Sequence, residues 1–167
     1  LERINEIHEV EEENTHRKIC TMPQQRDITI DHLCFKYDGN AKRNTLDDIC
    51  LTLRQGKTTA IVGTSGSGKT TLVKVLLGHY PATSGQIRLG DKDLNDIDLR
   101  WWRSKCGAVM QDGYIFADSM ANNIAISSDT PEQDRLHYAV ETANLNDYIQ
   151  SLPLGLSTKI GHNGPGL

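Results

Sequence analysis

The chain has 167 residues, a formal net charge of −4 and an apolar fraction of 37%, which is ordinary for a soluble domain with its own core. The acidic balance provides no basic patch of the kind that binds nucleic acid, so no nucleic-acid partner is expected. No uninterrupted apolar run of about 18 residues is present, so no membrane-spanning helix is predicted. The first residue is Leu1 and not methionine, and we expect the chain to be part of a longer polypeptide.

Residues 1–19 place apolar side chains at helical spacing and glutamates on the other faces. This pattern predicts an amphipathic helix that frays into an acidic stretch, and a solvated helix end is the favoured explanation of its charges. Thr21–Gln25 has the composition of a linker. We therefore predict a linker helix over residues 1–25 and a domain over residues 26–167.

Two segments alternate polar and apolar residues, which is typical of half-buried strands. They are Asp27–Phe35 and Leu46–Leu53, and an antiparallel arrangement is expected for them. Arg54–Lys57 is a turn that leads into Thr58–Val62, a short β-branched run that predicts a buried strand.

The next stretch, GTSGSGKTT, fits the pattern G-x-x-x-x-G-K-[ST] of a phosphate-binding loop. The pattern has meaning only between a strand and a helix, and Leu72–Leu77 predicts a helix that closes at Gly78. A chance glycine-rich turn is the alternative, and the strand and helix on either side weigh against it. The predicted binding residues are Gly63, Thr64, Ser65, Gly66, Ser67, Gly68, Lys69, Thr70 and Thr71.

These residue types match the needs of a polyphosphate. Successive backbone N–H groups form an anion-binding nest, glycines let the backbone come close, and the helix N-terminus adds roughly +0.5 of a charge. Lys69 can bring a full positive charge to the β- and γ-phosphates. The hydroxyl of Thr70 can bind Mg²⁺, and Thr71 can cap the helix or contact the α-phosphate.

Beyond this loop, Gln86–Leu89 is predicted to be a strand and Asp98–Arg103 a short helix. Trp101 and Trp102 are adjacent on that helix and face different ways, so one is expected in the core while the other lies at an edge or on a partner surface. Cys106–Met110 is predicted to be an apolar strand that ends at Gln111.

The C-terminal third is predicted to be mainly helical, over residues 118–126 and 131–143. The second helix is expected to have Thr130 as its N-cap and Pro131 at its first position. Tyr114 and Phe116 lie in the loop before the first of these helices, and they can be exposed partner contacts or core anchors. Residues 160–167 are predicted to be a loop.

The cysteines and histidines show no motif. Four cysteines lie far apart without C-x-x-C spacing, and six histidines are scattered without metal-ligand spacing. Buried, reduced thiols are the favoured interpretation of the cysteines, which fits the cytoplasm.

The residues resemble the ATP-binding domain of ABC transporters, exporter type, over essentially the whole chain. GTSGSGKTT is similar to that family's Walker A motif, Tyr37 to its A-loop aromatic, and Gln111, followed by DGYIFADSMANNIA, to its Q-loop. The stretch WWRSKCGAVMQDGYIF resembles the exporter branch. The opening LERINEIHEVEEE resembles the end of the last transmembrane helix in bacterial peptide and bacteriocin exporters that carry a peptidase domain.

The resemblance implies an α/β P-loop NTPase fold. Its parts would be an N-terminal antiparallel β-subdomain, a parallel core sheet and a helical subdomain over about 112–167, the whole incomplete at the C-terminus. ATP and Mg²⁺ are the implied cofactors. Lys69 and Gln111 are the implied catalytic residues, and Thr70 and Gln111 the implied metal ligands.

Two of these implied roles have structural alternatives. Tyr37 would stack on adenine, a contact worth roughly 1–3 kcal/mol in other base–aromatic stacks, but it can also be a strand-edge aromatic packed on the core. Gln111 would bind Mg²⁺ or orient a water at a strand's carboxyl end, where ligands of open α/β sheets gather. It can equally be a polar strand end.

In the family, the signature motif LSGGQ, the Walker B strand and the catalytic glutamate follow the point where this sequence reaches Leu167. No apolar run ending in Asp-Glu is present; the nearest, Tyr138–Glu141, lies inside a helical pattern. The resemblance thus implies truncation before the signature motif. We expect these residues alone to bind nucleotide weakly and to hydrolyse it poorly.

The expected function is that of an ATP-hydrolysing module that powers export of a substrate, in particular a peptide, from the cytoplasmic face of the bacterial inner membrane. The implied partners are a transmembrane domain N-terminal to the chain and a second ATP-binding domain in a head-to-tail homodimer. A non-transport ABC-type ATPase and a non-hydrolytic nucleotide-binding module are the alternatives. Extending the gene upstream would separate the exporter from the non-transport ATPase, by six membrane spans against none. Reading the gene beyond Leu167 would test the non-hydrolytic module.

Overall fold

The computed structural model describes residues 19–39, 42–110, 113–128 and 132–161. The chain divides into two compact units, Leu1–Ala108 and Val109–Leu167. Residues 1–18 of the predicted linker helix (1–25) lie outside the described residues, as do Gln111, Thr130, Pro131 and residues 162–167. The prediction is wrong for residues 19–25, which are not helical, and Ile19 instead forms an isolated bridge with Ile97. No described helix combines the length and the apolar character needed to cross a bilayer.

The first unit is built on a four-stranded antiparallel sheet with the strand order β2-β1-β3-β4. Its strands are β1 (Ile28–Phe35), β2 (Leu46–Leu53), β3 (Ser84–Leu89) and β4 (Lys92–Asp93). Helix α1 (Lys69–Leu76) follows β2, and a short 3-10 helix (Leu94–Asp96) and helix α2 (Leu99–Ser104) follow β4. The predicted strands at β1, β2 and β3, the antiparallel pairing of β1 with β2, and both predicted helices are confirmed.

One face of the sheet packs on α1 and α2 to form the core of this unit. Ile30, Leu33 and Phe35 of β1 are buried, whereas Asp31 and His32, at the register shift between Ile30 and Leu33, are exposed. Helix α1 contributes Leu72 and Val75, which are three residues apart and so share one face. The remaining buried members are Leu46, Ile87, Leu89, Leu94, Ile97, Leu99 and Trp102.

The two tryptophans divide as expected. Trp102 is buried, and its indole N–H donates to the backbone oxygen of Leu76 at 2.8 Å, which ties α2 to the end of α1. Trp101 is only half-buried, with the ammonium of Lys105 6.0 Å from its ring centre.

Two predicted strands are wrong for the described residues. Neither Thr58–Val62 nor Cys106–Met110 is a strand, and Val62 is 87% exposed while Val109 is fully exposed. The physical reason is that a strand exists only through hydrogen bonds to a neighbour, and no described strand pairs with either segment. The predicted parallel sheet is therefore absent from the part of the chain that the structure describes.

Among its described residues, the second unit combines three α-helices with a two-stranded antiparallel ribbon. Its elements are β5 (Asp118–Ser119), α3 (Met120–Ile124), α4 (Gln133–Thr142), α5 (Asn146–Ser151), a 3-10 helix (Gly155–Ser157) and β6 (Lys159–Ile160). Its core gathers Met120, Val140, Ile149 and Ile160. Helix α4 is confirmed, but Glu132 and not Thr130 is its N-cap residue, with no side-chain capping bond. Ile160 lies in a strand and not in the predicted loop.

The cysteines are free thiols, as predicted, but they are not fully buried. Cys20 and Cys50 are exposed, and Cys34 and Cys106 are half-buried. Partial burial raises the pKa of the Cys106 thiol. Apolar flanking residues indicated burial, yet a cysteine on a strand follows the strand's alternation, and Cys50 falls on the outward face of β2.

Candidate nucleotide-binding site

The predicted phosphate-binding loop lies in the first unit and leads directly into α1. Residues 63–67 are exposed, Gly68 and Lys69 are half-buried, and Thr71 is buried at the start of the helix. Leu72 and Val75 fix this helix to the core, so the loop is presented at the surface from a firmly anchored helix N-terminus.

The loop's bends depend on two glycines. Gly66 has a φ of 78° and Gly68 a φ of 86°, a left-handed conformation that costs a residue with a Cβ roughly 1–2 kcal/mol. Gly68 also lacks room for a side chain, because a Cβ would lie 2.9 Å from both the Thr45 backbone oxygen and the Leu46 Cδ2. At Gly63 a Cβ would meet the Ser67 hydroxyl oxygen at 2.7 Å.

Lys69 stays with the loop and does not turn into the core. Its ammonium donates to the backbone oxygens of Gly63 at 3.0 Å and Thr64 at 2.6 Å, and to the Ser67 hydroxyl at 3.3 Å. No carboxylate of the described residues forms an ion pair with it. The positive charge therefore lies over the loop, where phosphate oxygens can compete for it.

The first turn of α1 has the character of an anion site. Gly68 is its N-cap residue and makes no side-chain capping bond, and no acidic residue lies in the first turn. The backbone N–H groups there keep their donor capacity and their partial positive charge. Thr70, exposed in that turn, offers a hydroxyl oxygen of the kind that Mg²⁺ binds.

Tyr37 is brought to the same helix. Its hydroxyl lies 3.0 Å from the hydroxyl oxygen of Thr71, and its ring is 55% exposed. The ring packs edge-on against Phe35 at 4.9 Å and Tyr80 at 5.2 Å between ring centres. Both alternatives from the sequence hold in part, because the ring packs on the core aromatic Phe35 and keeps an exposed surface.

Tyr80 is the residue that sequence reasoning missed. It lies between α1 and β3 and completes an aromatic group with Tyr37 and Phe35. No spacing rule predicts this, because the contact joins two loops 43 positions apart in the chain. Gln111 lies outside the described residues, so its role stays a prediction.

The residues present fit a nucleoside triphosphate with a divalent cation. Two left-handed glycines, an uncapped helix N-terminus and an ammonium that is hydrogen-bonded to loop oxygens create an electropositive, backbone-lined surface. Thr70 adds an oxygen ligand for the cation. Tyr37, whose hydroxyl lies 3.0 Å from the hydroxyl oxygen of Thr71, adds an exposed aromatic ring.

Comparison with known proteins shows which family this sequence matches. The model of the ABC transporter family matches residues 46–164. An ATP-dependent lipid A-core flippase of Bordetella avium is 41% identical over 128 residues, which are 76% of this chain and 22% of that protein. A toxin RTX-III translocation ATP-binding protein of Actinobacillus pleuropneumoniae is 34% identical over all 167 residues, 23% of its own length.

A third relative is a putative multidrug export ATP-binding/permease protein of Staphylococcus aureus. It is 36% identical over 141 residues, which are 84% of this chain and 24% of that protein. A solved bacterial Atm1-family ABC exporter with ATP bound superposes with a TM-score of 0.78 and 30% identity, over 84% of this chain and 24% of that one. The chain thus spans less than a quarter of the length of the proteins it matches. The predicted α/β P-loop NTPase fold class is confirmed by these matches.

Proposed function

The chain belongs to the ABC transporter family, and from this premise we propose that it is the ATP-binding part of an exporter. The observation that carries the proposal is the loop before α1, where the Lys69 ammonium lies within 3.3 Å of three loop oxygens beside an uncapped helix N-terminus. The structural relative with ATP bound supports the identity of the nucleotide.

In this proposal each residue acts through the atoms described above. The loop amides and the N–H groups of α1 bind phosphate oxygens, and Lys69 moves its donors from the loop carbonyls to the β- and γ-phosphates. Thr71 contacts the α-phosphate, and Tyr37 stacks on adenine. Thr70 and Gln111 would hold Mg²⁺, and the ion would supply positive charge to neutralise the charge that develops on the phosphates.

The larger function follows as a proposal about the longer protein. Binding and hydrolysis of ATP there would drive export from the cytoplasmic face of the inner membrane. The partners would be a transmembrane domain on the N-terminal side and a second ATP-binding domain in a head-to-tail dimer. All three relatives named above are described as a flippase, a translocation protein or an export protein, which supports this class of function.

For the substrate we propose a peptide. The toxin translocation relative supports this choice, because it is the one of the three that aligns with all 167 residues, including the N-terminal 45 that precede the family match. The flippase and the multidrug relative cover 76% and 84% of the chain.

The binding proposal is tested by equilibrium dialysis of labelled ATP with Mg²⁺ against the chain and two lysine variants. Lys69→Ala removes charge-assisted bonds worth about 1.5–3 kcal/mol, so we expect affinity to fall about tenfold or more. Lys57→Ala, an exposed lysine in the turn after β2, is the control and should bind as the unmodified chain does. Equal binding by the unmodified chain and Lys69→Ala would contradict the proposal.

A further inference from the structure

The outward face of the β1–β2 pair carries a cluster of groups that nucleotide binding does not use. The ladder between the two strands shifts register between Ile30 and Leu33 and again between Leu33 and Phe35. At these irregular positions His32 has a φ of 48° and Asp48 a φ of 52°. The irregularity places consecutive residues of each strand on the same face, so that more polar side chains gather there than regular alternation allows.

Three different kinds of metal-binding atom meet at this place. Asp31, His32 and Cys50 each offer one ligand atom, and these atoms all lie within 4.8 Å of one another. The Nε2 atom of His32 lies 3.8 Å from Oδ1 of Asp31, and the backbone N–H of His32 donates to the Cys50 sulfur at 3.3 Å. In a tetrahedral Zn²⁺ site, ligand bonds of about 2.0–2.3 Å place neighbouring ligands roughly 3.5 Å apart. Exposed side chains can make that small inward adjustment.

The histidine is also oriented as a ligand histidine usually is. Its Nδ1 lies 2.5 Å from Oδ1 of Asp48. When the Nδ1–H group donates a hydrogen bond to that carboxylate, Nε2 carries no proton, and its lone pair is free to bind an ion. Metal-bound histidines commonly donate their second ring N–H to a carboxylate in this way, which fixes the tautomer and makes the ligand atom more basic.

We propose that Asp31, His32 and Cys50 form a site for a transition-metal ion of the Zn²⁺ class, with Asp48 as the positioning residue. One nitrogen, one thiolate sulfur and one carboxylate oxygen make a donor set that suits Zn²⁺ or Co²⁺ and is poorly suited to Mg²⁺, which selects oxygen. Water completes the fourth position. On binding, the Cys50 thiol gives its proton to solvent and the sulfur bonds to the metal as thiolate.

Such a site would join two strands across the pair. Asp31 and His32 belong to β1 and Cys50 to β2, so a bound ion cross-links them at the place where their ladder is irregular. The bound state should therefore be the more stable one, because an ion that binds only the folded chain shifts the unfolding equilibrium toward the folded state.

The experiment titrates the full 167-residue chain, reduced and without nucleotide or Mg²⁺, with Co²⁺ at mildly alkaline pH. We expect a thiolate-to-cobalt charge-transfer band that saturates at one ion per chain and is displaced by Zn²⁺. Cys50→Ser and His32→Gln should lose the band. Cys20→Ser and His137→Gln, which change an exposed cysteine and an exposed histidine elsewhere, should keep it. Asp48→Asn should keep the band with an affinity about 10–100-fold lower.

A second measurement needs no variant and so does not depend on the folding of one. Saturating Zn²⁺ should slow alkylation of Cys50 and leave that of Cys20 unchanged, as read by peptide mass spectrometry. The proposal is overturned if no thiolate band forms, if the band survives in Cys50→Ser, or if Zn²⁺ protects neither cysteine or both equally. Loss of the band in Cys34→Ser but not in Cys50→Ser would also overturn it, because the sulfur would then belong to the wrong strand.

Discussion

Gly68 shows how a single residue can be fixed by both conformation and space. Its φ of 86° and the 2.9 Å approach of a Cβ to the Thr45 backbone oxygen act together. Gly68→Ala should therefore lower the free energy of unfolding of the first unit by about 1–3 kcal/mol or more. Urea denaturation followed by tryptophan fluorescence reports on this unit, because Trp101 and Trp102 both lie in it.

Gly66→Ala is the matched control for that measurement. Gly66 is also left-handed, with a φ of 78°, but a Cβ there meets nothing within 4 Å. The strain alone should cost roughly 1–2 kcal/mol. A loss in Gly66→Ala as large as that in Gly68→Ala would show that contact with Thr45 and Leu46 does not matter.

The residues of the loop could be predicted from sequence because their chemistry is local. Gly63–Thr71 is one uninterrupted stretch, so the spacing of glycines and lysine carries most of its geometry. The aromatic group of Tyr37 and Tyr80 could not be predicted, since it depends on which loops the sheet brings together. The cluster at His32 was missed for a similar reason: its members come from two strands, and spacing along one strand does not show them.

At the scale of elements, an indole hydrogen bond ties α2 to the end of α1. Trp102→Phe keeps most of the buried aromatic surface but leaves the Leu76 oxygen without the donor at 2.8 Å. We expect the free energy of unfolding to fall by about 1–3 kcal/mol in urea denaturation followed by circular dichroism. Trp101→Phe changes a half-buried ring and should cost less; the reverse order of the two variants would disprove this account.

The start of α3 is stabilised by a charged carboxylate. Oδ1 of Asp118 accepts from the backbone N–H of Ser119 at 2.6 Å and from the Asn122 side chain at 3.0 Å, and these bonds lower the pKa of Asp118. A carboxyl whose pKa is lower when folded adds stability above its unfolded pKa and loses it as pH falls through the folded pKa.

Asp118→Asn should therefore lower the thermal midpoint of the chain at neutral pH, and the difference should shrink as the pH falls below 3.8, the ordinary value for this carboxyl. Circular dichroism melting at a series of pH values measures this. Asp134→Asn, an exposed aspartate on α4, serves as the control. A difference that grows in acid would contradict the assigned cause.

Elements with a clear local pattern that also find a partner, such as β1, β2 and β3, were predicted correctly. β1 and β2 are joined by a short connection and alternate regularly enough to be read from the sequence. Thr58–Val62 has the composition of a buried strand, but composition does not supply the neighbour that a strand needs. The β5–β6 ribbon was missed because each strand is two residues long and pairs across about 40 positions.

At the scale of the whole molecule, binding and hydrolysis of ATP make different demands. The loop before α1 supplies the phosphate contacts, whereas activation of the attacking water needs a general base near the γ-phosphate. The resemblance to ABC transporters implies that this base is a glutamate that follows an apolar strand. The 167 residues contain no apolar run that ends in Asp-Glu. We therefore expect the chain by itself to hydrolyse ATP near the background rate.

This expectation is tested by steady-state phosphate release from MgATP, with the 167-residue chain set beside a longer polypeptide that contains it. The chain alone should show turnover indistinguishable from that of its Lys69→Ala variant. The longer polypeptide should turn over faster and lose that activity when Lys69 is replaced, because the charge that Lys69 brings to the γ-phosphate is then used in the reaction. Equal, Lys69-dependent turnover by both would mean that the 167 residues already contain the base.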